Sequence, residues 1–508
     1  MNHESNLLAI SDLHLSEGWD SKTGRASRLE DFFRDGAFAR FLHYHERIKS
    51  QPRFGGRPWL LILNGDIFDF LQVVSLPQEG RALRTVKGVD AWSDLSANEQ
   101  EYGLGTTAQE TEWKLSRIAA GHQQFFAALG WFVAHGNRVV VIRGNHDVEL
   151  HWEQVQERFV VEVKRAYVRK MLREGTGLPL TLSACRERIQ FYSWFYYEPE
   201  RVYIEHGGQY EAANHFRDFL NPVLPDDPER IELPWGSLFV RYLFNKVEDV
   251  HPFADNVKPL TRYLSWAFMR DPIRATEILF GRGWVFLRTL WEAGRKATAI
   301  ALKQADETTS VYEEPVPLPP VMSKRIEALA QRRVESAWHS WMGSLLLGVV
   351  STLTLLIIGV FVILAGATAF LDERPWWVTA AYAAMAVVSY FLRRELIRTL
   401  SPLLEQDYLA EVARELEQIL GRVRGVETIV LGHDHRPTME QLENSWYVNT
   451  GTWIPVYEKE GPVEGKEALT FLRIAWTKQT VPELLRWDDA GGAPTRVVLW
   501  EDDGLVHR

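Results

Sequence analysis

Five short apolar runs in the sequence each end in a cluster of polar residues. The runs are Leu7–Ile10, Leu60–Leu63, Val139–Ile142, Val202–Ile204 and Ile429–Leu431. Short runs of Leu, Ile and Val are typical of buried strands. Each polar cluster is therefore predicted to lie where a strand ends and a loop opens, which is where α/β sheets carry their ligand sites.

Apolar residues recur at helical spacing between these strands. They predict helices over 29–48, 112–135 and 152–172, and a further helix that starts at Ser401-Pro402 and runs to Gly425. Residues 71–112 lack strong periodicity and predict an insertion with short helices at the rim of the active site. A strand pair is predicted near Ile189–Trp194 and Arg201–Glu205. The strands predicted at Trp446–Asn449, Leu469–Trp476 and Arg496–Trp500 are expected to complete the second sheet. The alternation of strands and helices indicates an α/β fold.

Changes in composition divide the chain into four parts. Residues 1–208 and 401–508 are predicted to form the two halves of one catalytic core. Residues 209–330, which are rich in aromatic residues and proline, are predicted to form a helical cap or insertion, helical over 263–302, that ends in an extended linker over 313–320. A structural appendage without a role in substrate binding is the alternative for this part.

Residues 338–393 contain two uncharged runs, Trp341–Leu371 and Trp376–Leu392. About twenty apolar residues cross a bilayer, so these runs predict a two-helix transmembrane hairpin that turns at 372–375. Cations flank both ends and only Arg374 lies in the turn, which predicts that both ends, and the catalytic part, face the cytoplasm. The alternative is a buried helical pair in the core of an oligomer.

The composition narrows the classes of partner. The formal net charge of −10 argues against a general nucleic-acid binder, because phosphate contacts require basic clusters. The single cysteine, Cys185, excludes an internal disulfide and is consistent with a reducing compartment. The first eleven residues carry no secretory signal pattern. The oligomeric state does not follow from the sequence.

The polar clusters at the strand ends share one kind of chemistry. They are Asp12-Leu13-His14, Gly65-Asp66-Ile67-Phe68-Asp69, Gly144-Asn145-His146-Asp147, His206-Gly207 and Gly432-His433-Asp434-His435. Oxygen and imidazole donors without sulfur suit a pair of divalent ions such as Mn, Fe or Zn. Two cations roughly 3.5–4 Å apart require an anion between them, and Asp66 is the predicted bridge.

These five blocks, in this order, resemble the signature of the calcineurin-like metallophosphoesterases. The resemblance covers roughly residues 1–215 and 425–455 and implies two packed central sheets with outer helices. It also implies two divalent ions and hydrolysis of a phosphate ester or anhydride. By this resemblance Asp12, His14 and His435 would hold one ion, Asn145, His206 and His433 the other, and Asp66 both. His146 would be the acid or transition-state stabiliser, oriented by Asp147.

Two of these residues have ordinary interpretations when they are taken alone. A histidine before a glycine, such as His206, is more often a loop or capping residue than a ligand. Asp69 can cap a helix, and within the family it is a candidate for supporting a ligand rather than for binding the metal. The ordered set of five blocks favours the two-metal interpretation.

Three motifs, residues 12–15, 65–69 and 432–437, are similar to those of the UDP-2,3-diacylglucosamine pyrophosphatase branch of the family. Those enzymes usually carry Arg where this chain has His146, and they lack a membrane hairpin, so their substrate does not transfer. The expected function is hydrolysis by a membrane-anchored enzyme of a phosphate ester or diphosphate, with a lipid-linked or nucleotide substrate. An anchored phosphodiesterase or protein phosphatase that acts on a soluble substrate is the alternative. A non-enzymatic membrane scaffold is the third hypothesis.

Overall fold

The computed structural model describes twelve segments of the chain. They are residues 5–20, 23–211, 214–245, 318–330, 358–368, 376–404, 408–421, 425–456, 466–476, 481–497, 499–501 and 504–506. The helix predicted over 263–302, most of the linker and residues 341–357 of the first uncharged run lie outside these segments.

Twelve strands in the described segments build two sheets. In chain order they are β1 Asn6–Ile10, β2 Trp59–Asn64, β3 Arg138–Ile142, β4 Ile189–Tyr192, β5 Phe195–Glu198, β6 Val202–Glu205, β7 Thr428–Leu431, β8 Thr438–Gln441, β9 Trp446–Asn449, β10 Thr470–Ile474, β11 Glu483–Asp488 and β12 Ala493–Arg496. One sheet has the order β12-β11-β10-β1-β2-β3-β4 and the other β8-β9-β7-β6-β5. Strands β1 to β4 are mutually parallel, as are β6, β7 and β9.

The two sheets pack face to face through the alternate residues of their central strands. Leu7, Ile62 and Val140 of the first sheet share one buried cluster with Ile204 and Val430 of the second. Because successive side chains of a strand point to opposite faces, the remaining apolar residues meet helices on the outer faces. The predicted α/β fold class is confirmed.

Helices in the described segments surround the sheets or extend from them. They are α1 Asp35–Ile48, α2 Arg81–Lys87, α3 Ala97–Tyr102, α4 Ala108–Gly121, α5 Gln123–Ala134, α6 Glu153–Glu174, α7 Leu182–Arg188, α8 Trp235–Phe239, α9 Trp376–Leu404 and α10 Tyr408–Leu420. Residues 320–330 and 358–368 are also helical. Helices α1, α4, α5 and α6 cover the first sheet, whereas α10 and residues 320–330 cover the second.

Short elements fill several of the connections. Three-residue or four-residue 3₁₀ turns occur at Trp92–Asp94, Val148–His151 and Gly208–Tyr210, and a π-helical turn at Val240–Phe244. Two-stranded ribbons pair Trp19–Asp20 with Arg25–Ala26, Val223–Leu224 with Asp227–Ile231, Pro455–Val456 with Lys466–Glu467, and Leu499–Glu501 with Gly504–Val506.

Several predicted elements differ from the structure. The helix expected over 112–135 is two helices, α4 and α5, that meet at His122. The helix start expected at Ser401-Pro402 is wrong, since α9 continues to Leu404 and the next helix begins at Tyr408. Strands β4 and β6 belong to different sheets and do not pair. Strand β10 joins the first sheet beside β1 instead of completing the second.

The predicted transmembrane hairpin is not supported. Within the described segments, no helix combines the length and the apolar content that a bilayer crossing requires. The uncharged part of α9, Trp376–Leu392, has seventeen residues and includes polar Thr379 and Ser389. The helical segment before it, residues 358–368, has eleven described residues.

Candidate metal centre

Parallel strand pairing brings the predicted site residues to one edge of the sandwich. Asp12, Asp66 and Asn145 follow the adjacent parallel strands β1, β2 and β3, and His206 and His433 follow the adjacent parallel strands β6 and β7. The loops are also joined to one another by their backbones. The amide of His14 donates to the carbonyl of Asp66 at 2.9 Å, and Gly432 donates to the carbonyl of His206 at 2.9 Å.

Asp12, His14 and His435 form the first donor group. His435 Nε2 lies 3.3 Å from Asp12 Oδ1 and 3.2 Å from His14 Nε2. Asp12 Oδ1 and His14 Nδ1 are buried and make no hydrogen bond. A divalent ion requires several ligand atoms that point to one place. The ligand atoms of these three residues converge, and Asp12 Oδ1 accepts no hydrogen bond that would compete with an ion.

Asp66, His206 and His433 form the second donor group. His206 Nε2 lies 3.1 Å from Asp66 Oδ2 and 3.1 Å from the side-chain oxygen of Asn145. The other ring nitrogen of His206, Nδ1, lies 3.0 Å from the carbonyl oxygen of Asn64, which accepts its proton and leaves Nε2 toward the group. Asn145 therefore belongs to this group through its oxygen.

The carboxylate of Asp66 stands between the two groups. Its Oδ2 is 3.1 Å from His206 Nε2 and 4.0 Å from His14 Nε2, while its Oδ1 accepts a hydrogen bond from the His146 amide at 2.8 Å. One oxygen is thus fixed by the backbone and the other faces donors of both groups. This is the arrangement that a carboxylate bridge between two ions requires.

The backbone is strained where these side chains are delivered. Seven non-glycine residues in the described segments have φ between +46° and +74°, and five of them are predicted ligands. Those five are Asp12, His14, Asp66, His433 and His435. Positive φ costs non-glycine residues of order 1–3 kcal/mol each, and such strain concentrates at functional sites.

Glycines make room for the ligand side chains. A Cβ atom on Gly144 would overlap Oδ1 of Asp66, and one on Gly432 would lie 2.9 Å from Oδ2 of Asp12. Gly65 and Gly208 make similarly close approaches to His206 and Asn145. The motif glycines therefore have a steric role: no larger residue leaves space for the carboxylates and imidazoles in these positions.

The electrostatics of the cluster favour positive charge. Burial alone would raise the pKa of Asp12, but His206 and His435 outweigh burial and lower the pKa to about 2. Burial would lower the pKa of His206, but Asp66 and Asp12 outweigh burial and raise it to about 9. Asp12 is therefore ionised while His206 holds its proton strongly, so the buried site favours positive charge. Such a site is suited to divalent cations, which compete with protons for the histidine nitrogens.

His146 lies beside the donor groups and is held by Asp69. Its Nδ1 is 2.7 Å from Asp69 Oδ2, and its ring centroid is 4.8 Å from that of His14. The buried carboxylate of Asp147 instead accepts hydrogen bonds from the amides of Gly144 at 2.6 Å and Ile67 at 2.8 Å. The structure therefore gives Asp69 the place beside His146 that the sequence analysis gave to Asp147.

Glu211 also contacts the metal centre, although it belongs to none of the five sequence motifs. Oε2 of Glu211 lies 2.5 Å from Nε2 of His433. Glu211 follows the 3₁₀ turn Gly208–Tyr210, so its position depends on that turn and not on a strand end. The only available signal in the sequence was its closeness to His206, five residues earlier.

Comparison with known proteins agrees with this geometry. The family model for calcineurin-like phosphoesterases matches residues 5–284, more than half of the chain. The matched range includes Asp12, Asp66, Asn145 and His206 and ends before the loop that carries His433 and His435. Among curated proteins no significant match is found. The chain therefore belongs to the calcineurin-like phosphoesterases, hydrolases of phosphoric esters that use two divalent metal ions.

Proposed function

We propose that the seven converging residues hold the two metal ions of this hydrolase. Asp12, His14 and His435 would hold one ion, Asn145, His206 and His433 the other, and Asp66 both. The position of Asp66 Oδ2, within 4.0 Å of histidine nitrogens from both groups, carries the assignment. When bound, the ions would lower the pKa of water enough to supply a nucleophile near neutral pH and would offset charge on the phosphoryl oxygens.

His146 is the proposed proton donor to the leaving oxygen. Its Nδ1 faces Asp69, whose carboxylate favours the protonated imidazole and leaves Nε2 for the transfer. Burial would raise the pKa of Asp69, but His146 and His14 lower it well below the usual range, so Asp69 remains an acceptor. Asp69 therefore orients the His146 ring and stabilises positive charge on it.

The decisive test removes the charge at the bridge. Asp66→Asn keeps the size of the side chain but removes the charge that offsets repulsion between the two ions. We expect loss of at least one ion per chain, measured by elemental analysis, and of nearly all hydrolysis of a phosphodiester. Chelation should abolish wild-type activity, and added Mn²⁺ or Zn²⁺ should restore it.

Asp90→Asn is the matched control, because Asp90 is an exposed carboxylate that pairs with Arg84 at 2.6 Å on the surface. This variant should keep two ions and wild-type turnover. An Asp66→Asn protein with two ions and wild-type turnover would contradict the assignment.

A membrane attachment is proposed for the helix pair formed by residues 358–368 and α9. The two helices pack through a 3.0 Å hydrogen bond between Thr379 and Thr368 and through the stacked rings of Phe361 and Tyr382. Their outer surface exposes large apolar side chains, including Val360, Val362, Ile363, Trp376, Trp377, Met385, Val387, Val388, Tyr390, Phe391 and Leu392. An exposed apolar surface of this extent is typical of a membrane or protein contact.

The flanking charges favour a membrane as the partner. Lys324 and Arg325 precede the pair in the chain, and Arg393, Arg394 and Arg398 follow it. Basic residues beside an apolar surface are attracted to the anionic cytoplasmic leaflet. Attachment there would favour an amphiphilic substrate, such as a lipid-linked diphosphate, because enzyme and substrate would share one plane.

The substrate class is tested by comparing two substrates in one assay. The enzyme should hydrolyse a nucleoside diphosphate lipid in anionic vesicles faster than a water-soluble phosphodiester at equal bulk concentration. Addition of vesicles without substrate should not accelerate hydrolysis of the soluble ester. Preference for the soluble ester would favour the anchored phosphodiesterase or protein phosphatase instead.

A further inference from the structure

Glu211 connects the loop after β6 to the loop after β7. Its Oε2 lies 2.5 Å from His433 Nε2 and also accepts a hydrogen bond from the side-chain amide of Asn214 at 2.8 Å. The Glu211 amide donates to the carbonyl of Gly208 at 3.2 Å, so the residue is fixed to the turn that follows His206. The His433 side chain is buried, whereas that of Glu211 is 33% exposed.

The Glu211 contact determines which nitrogen of His433 can bind a metal. A carboxylate accepts hydrogen bonds, so the His433 Nε2 that faces it carries the proton. The nitrogen with an available lone pair is then Nδ1, which is buried. His206 has the opposite arrangement, because its Nδ1 faces the carbonyl oxygen of Asn64 and its Nε2 faces Asp66.

We propose that Glu211 is a positioning residue that fixes the tautomer and the ring orientation of His433, so that Nδ1 binds the ion shared with Asp66, Asn145 and His206. Histidine ligands in metal sites commonly donate their second N–H to a carboxylate or carbonyl, which orients the ring and makes the ligand more basic. The inference rests on the metal assignment proposed above. It adds that the two histidines of one ion bind through different nitrogens.

A direct ligand role for Glu211 makes a different prediction. In that case its negative charge would contact the ion, and an amide in its place would be nearly as damaging as truncation. In a positioning role, a glutamine oxygen can still accept the Nε2 proton. Glu211→Gln and Glu211→Ala therefore separate the two roles.

The experiment measures metal affinity in the full chain. Mn²⁺ is titrated into chelator-treated wild-type protein, Glu211→Ala and Glu211→Gln, with calorimetry for affinity and elemental analysis for stoichiometry. We expect Glu211→Ala to weaken one of the two ions by roughly 10–100-fold while the other keeps its wild-type affinity. Retention of one ion also shows that the variant is folded. Glu211→Gln should stay within several-fold of the wild type at both ions.

A second readout follows the tautomer. In zinc-loaded protein with ¹⁵N-labelled histidine, the His433 proton should reside on Nε2 in the wild type and in Glu211→Gln. Glu229→Ala is the control, because Glu229 is exposed on the Asp227–Ile231 strand further along the chain. This control should keep both affinities.

Three results would overturn the proposal. Wild-type affinity for both ions in Glu211→Ala would show that the contact has no positioning role. Equal losses in the Gln and Ala variants would assign Glu211 as a direct ligand. A proton on Nδ1 of His433 would reverse the tautomer. Failure of the wild type to bind two ions is visible before any variant is made, and it would overturn the metal assignment itself.

Discussion

Asp69 and Asp147 are two buried aspartates of the metal centre that face different partners. Both aspartates belong to motifs, and both are buried at the same edge of the sandwich. The family resemblance implied that Asp147 orients His146, whereas the structure places Asp69 beside the ring. Residue types and spacing do not decide between the two, because the choice depends on how two loops face each other. The loop after β2 turns Asp69 toward His146, whereas the tight turn after β3 directs Asp147 to backbone amides.

Substitution of His146 separates chemistry from metal binding. His146→Ala should keep both ions, because His146 is not a proposed ligand, while turnover falls by roughly 10²–10⁴-fold. The loss should be smaller for a substrate whose leaving group needs no proton. Turnover with two leaving groups and metal content measure the effect, and loss of the ions would show that His146 is a ligand.

The two aspartates should respond differently to the same change. Both Asn variants should lower the thermal midpoint, because an NH₂ group would face backbone donors at a cost of roughly 1–3 kcal/mol: the amides of Leu71 and Gln72 at Asp69, and those of Gly144 or Ile67 at Asp147. Asp69→Asn should also lower turnover, by less than His146→Ala, because the carboxylate beside His146 becomes neutral. Turnover of the folded variants separates the two residues, and a larger fall for Asp147→Asn than for Asp69→Asn would return the orienting role to Asp147.

The strands were more predictable than the helices. Each of the five strands before a motif was located within one or two residues, because a short run of Leu, Ile and Val before a glycine or aspartate indicates a buried strand end. The break between α4 and α5 was not predicted, because the apolar periodicity continues through it. Its cause is tertiary: Gly121 and His122 pack against the loop that carries Glu17 and Gly18.

Gly144 offers a test of the steric role of the motif glycines. Its backbone does not have positive φ, so Gly144→Ala tests space alone. The added methyl group would displace the Asp66 carboxylate, and we expect loss of at least one ion and a large fall in turnover. Gly425→Ala is the control, because no atom lies within 4 Å of the added carbon. Metal content and turnover of the pair measure the difference, and equal behaviour would remove the steric argument.

The junction of α4 and α5 should make stability depend on pH. His122 lies 3.0 Å from carboxylate oxygens of both Glu30 and Asp35, and Glu30 also accepts a hydrogen bond from the amide of Gly18 at 2.6 Å. Burial would lower the pKa of His122, but the two carboxylates outweigh burial and raise it to about 10. The folded pKa exceeds the ordinary value of 6.5, so the stabilisation is complete below pH 6.5 and declines as pH rises toward 10.

His122→Gln should therefore lower the thermal midpoint most near pH 6 and progressively less toward pH 10. Thermal unfolding of wild type and variant across this range measures the difference. A difference that is constant with pH would show that packing, and not charge, holds the junction.

At the scale of the whole molecule, pairing between distant parts of the chain was the least predictable feature. The α/β class followed from the order of the elements, but the sheet that receives β10 depends on a partner more than four hundred residues away. Apolar content alone does not distinguish the edge of one sheet from the edge of the other. The exposed helix pair shows the same limit, because an uncharged run indicates an apolar contact without identifying its partner.

Replacement of residues 341–392 by a flexible linker tests membrane attachment. We expect the shortened protein to keep both ions and activity on small diesters, because the donor groups lie outside this range, but to hydrolyse vesicle-embedded substrate poorly. Vesicle sedimentation and the two activity assays measure this. Unchanged sedimentation with vesicles would contradict the attachment, and loss of both ions would show that the segment belongs to the fold of the catalytic part.

The long separation in sequence between Asp12 and the two histidines His433 and His435 has a consequence for biosynthesis. Asp12 is synthesised before His433 and His435, which follow about 420 residues later. At 5–20 residues per second this interval is roughly 20–80 seconds. The amide of His433 donates a hydrogen bond to Asp12 Oδ2 at 3.0 Å. Asp12, a proposed ligand of the first ion, therefore gains this contact only after His433 has been synthesised. A nascent chain, or one cut short by a premature stop codon before His433, lacks two of the seven proposed ligands. Hydrolytic activity should therefore appear only after His435 has been synthesised and has joined the site.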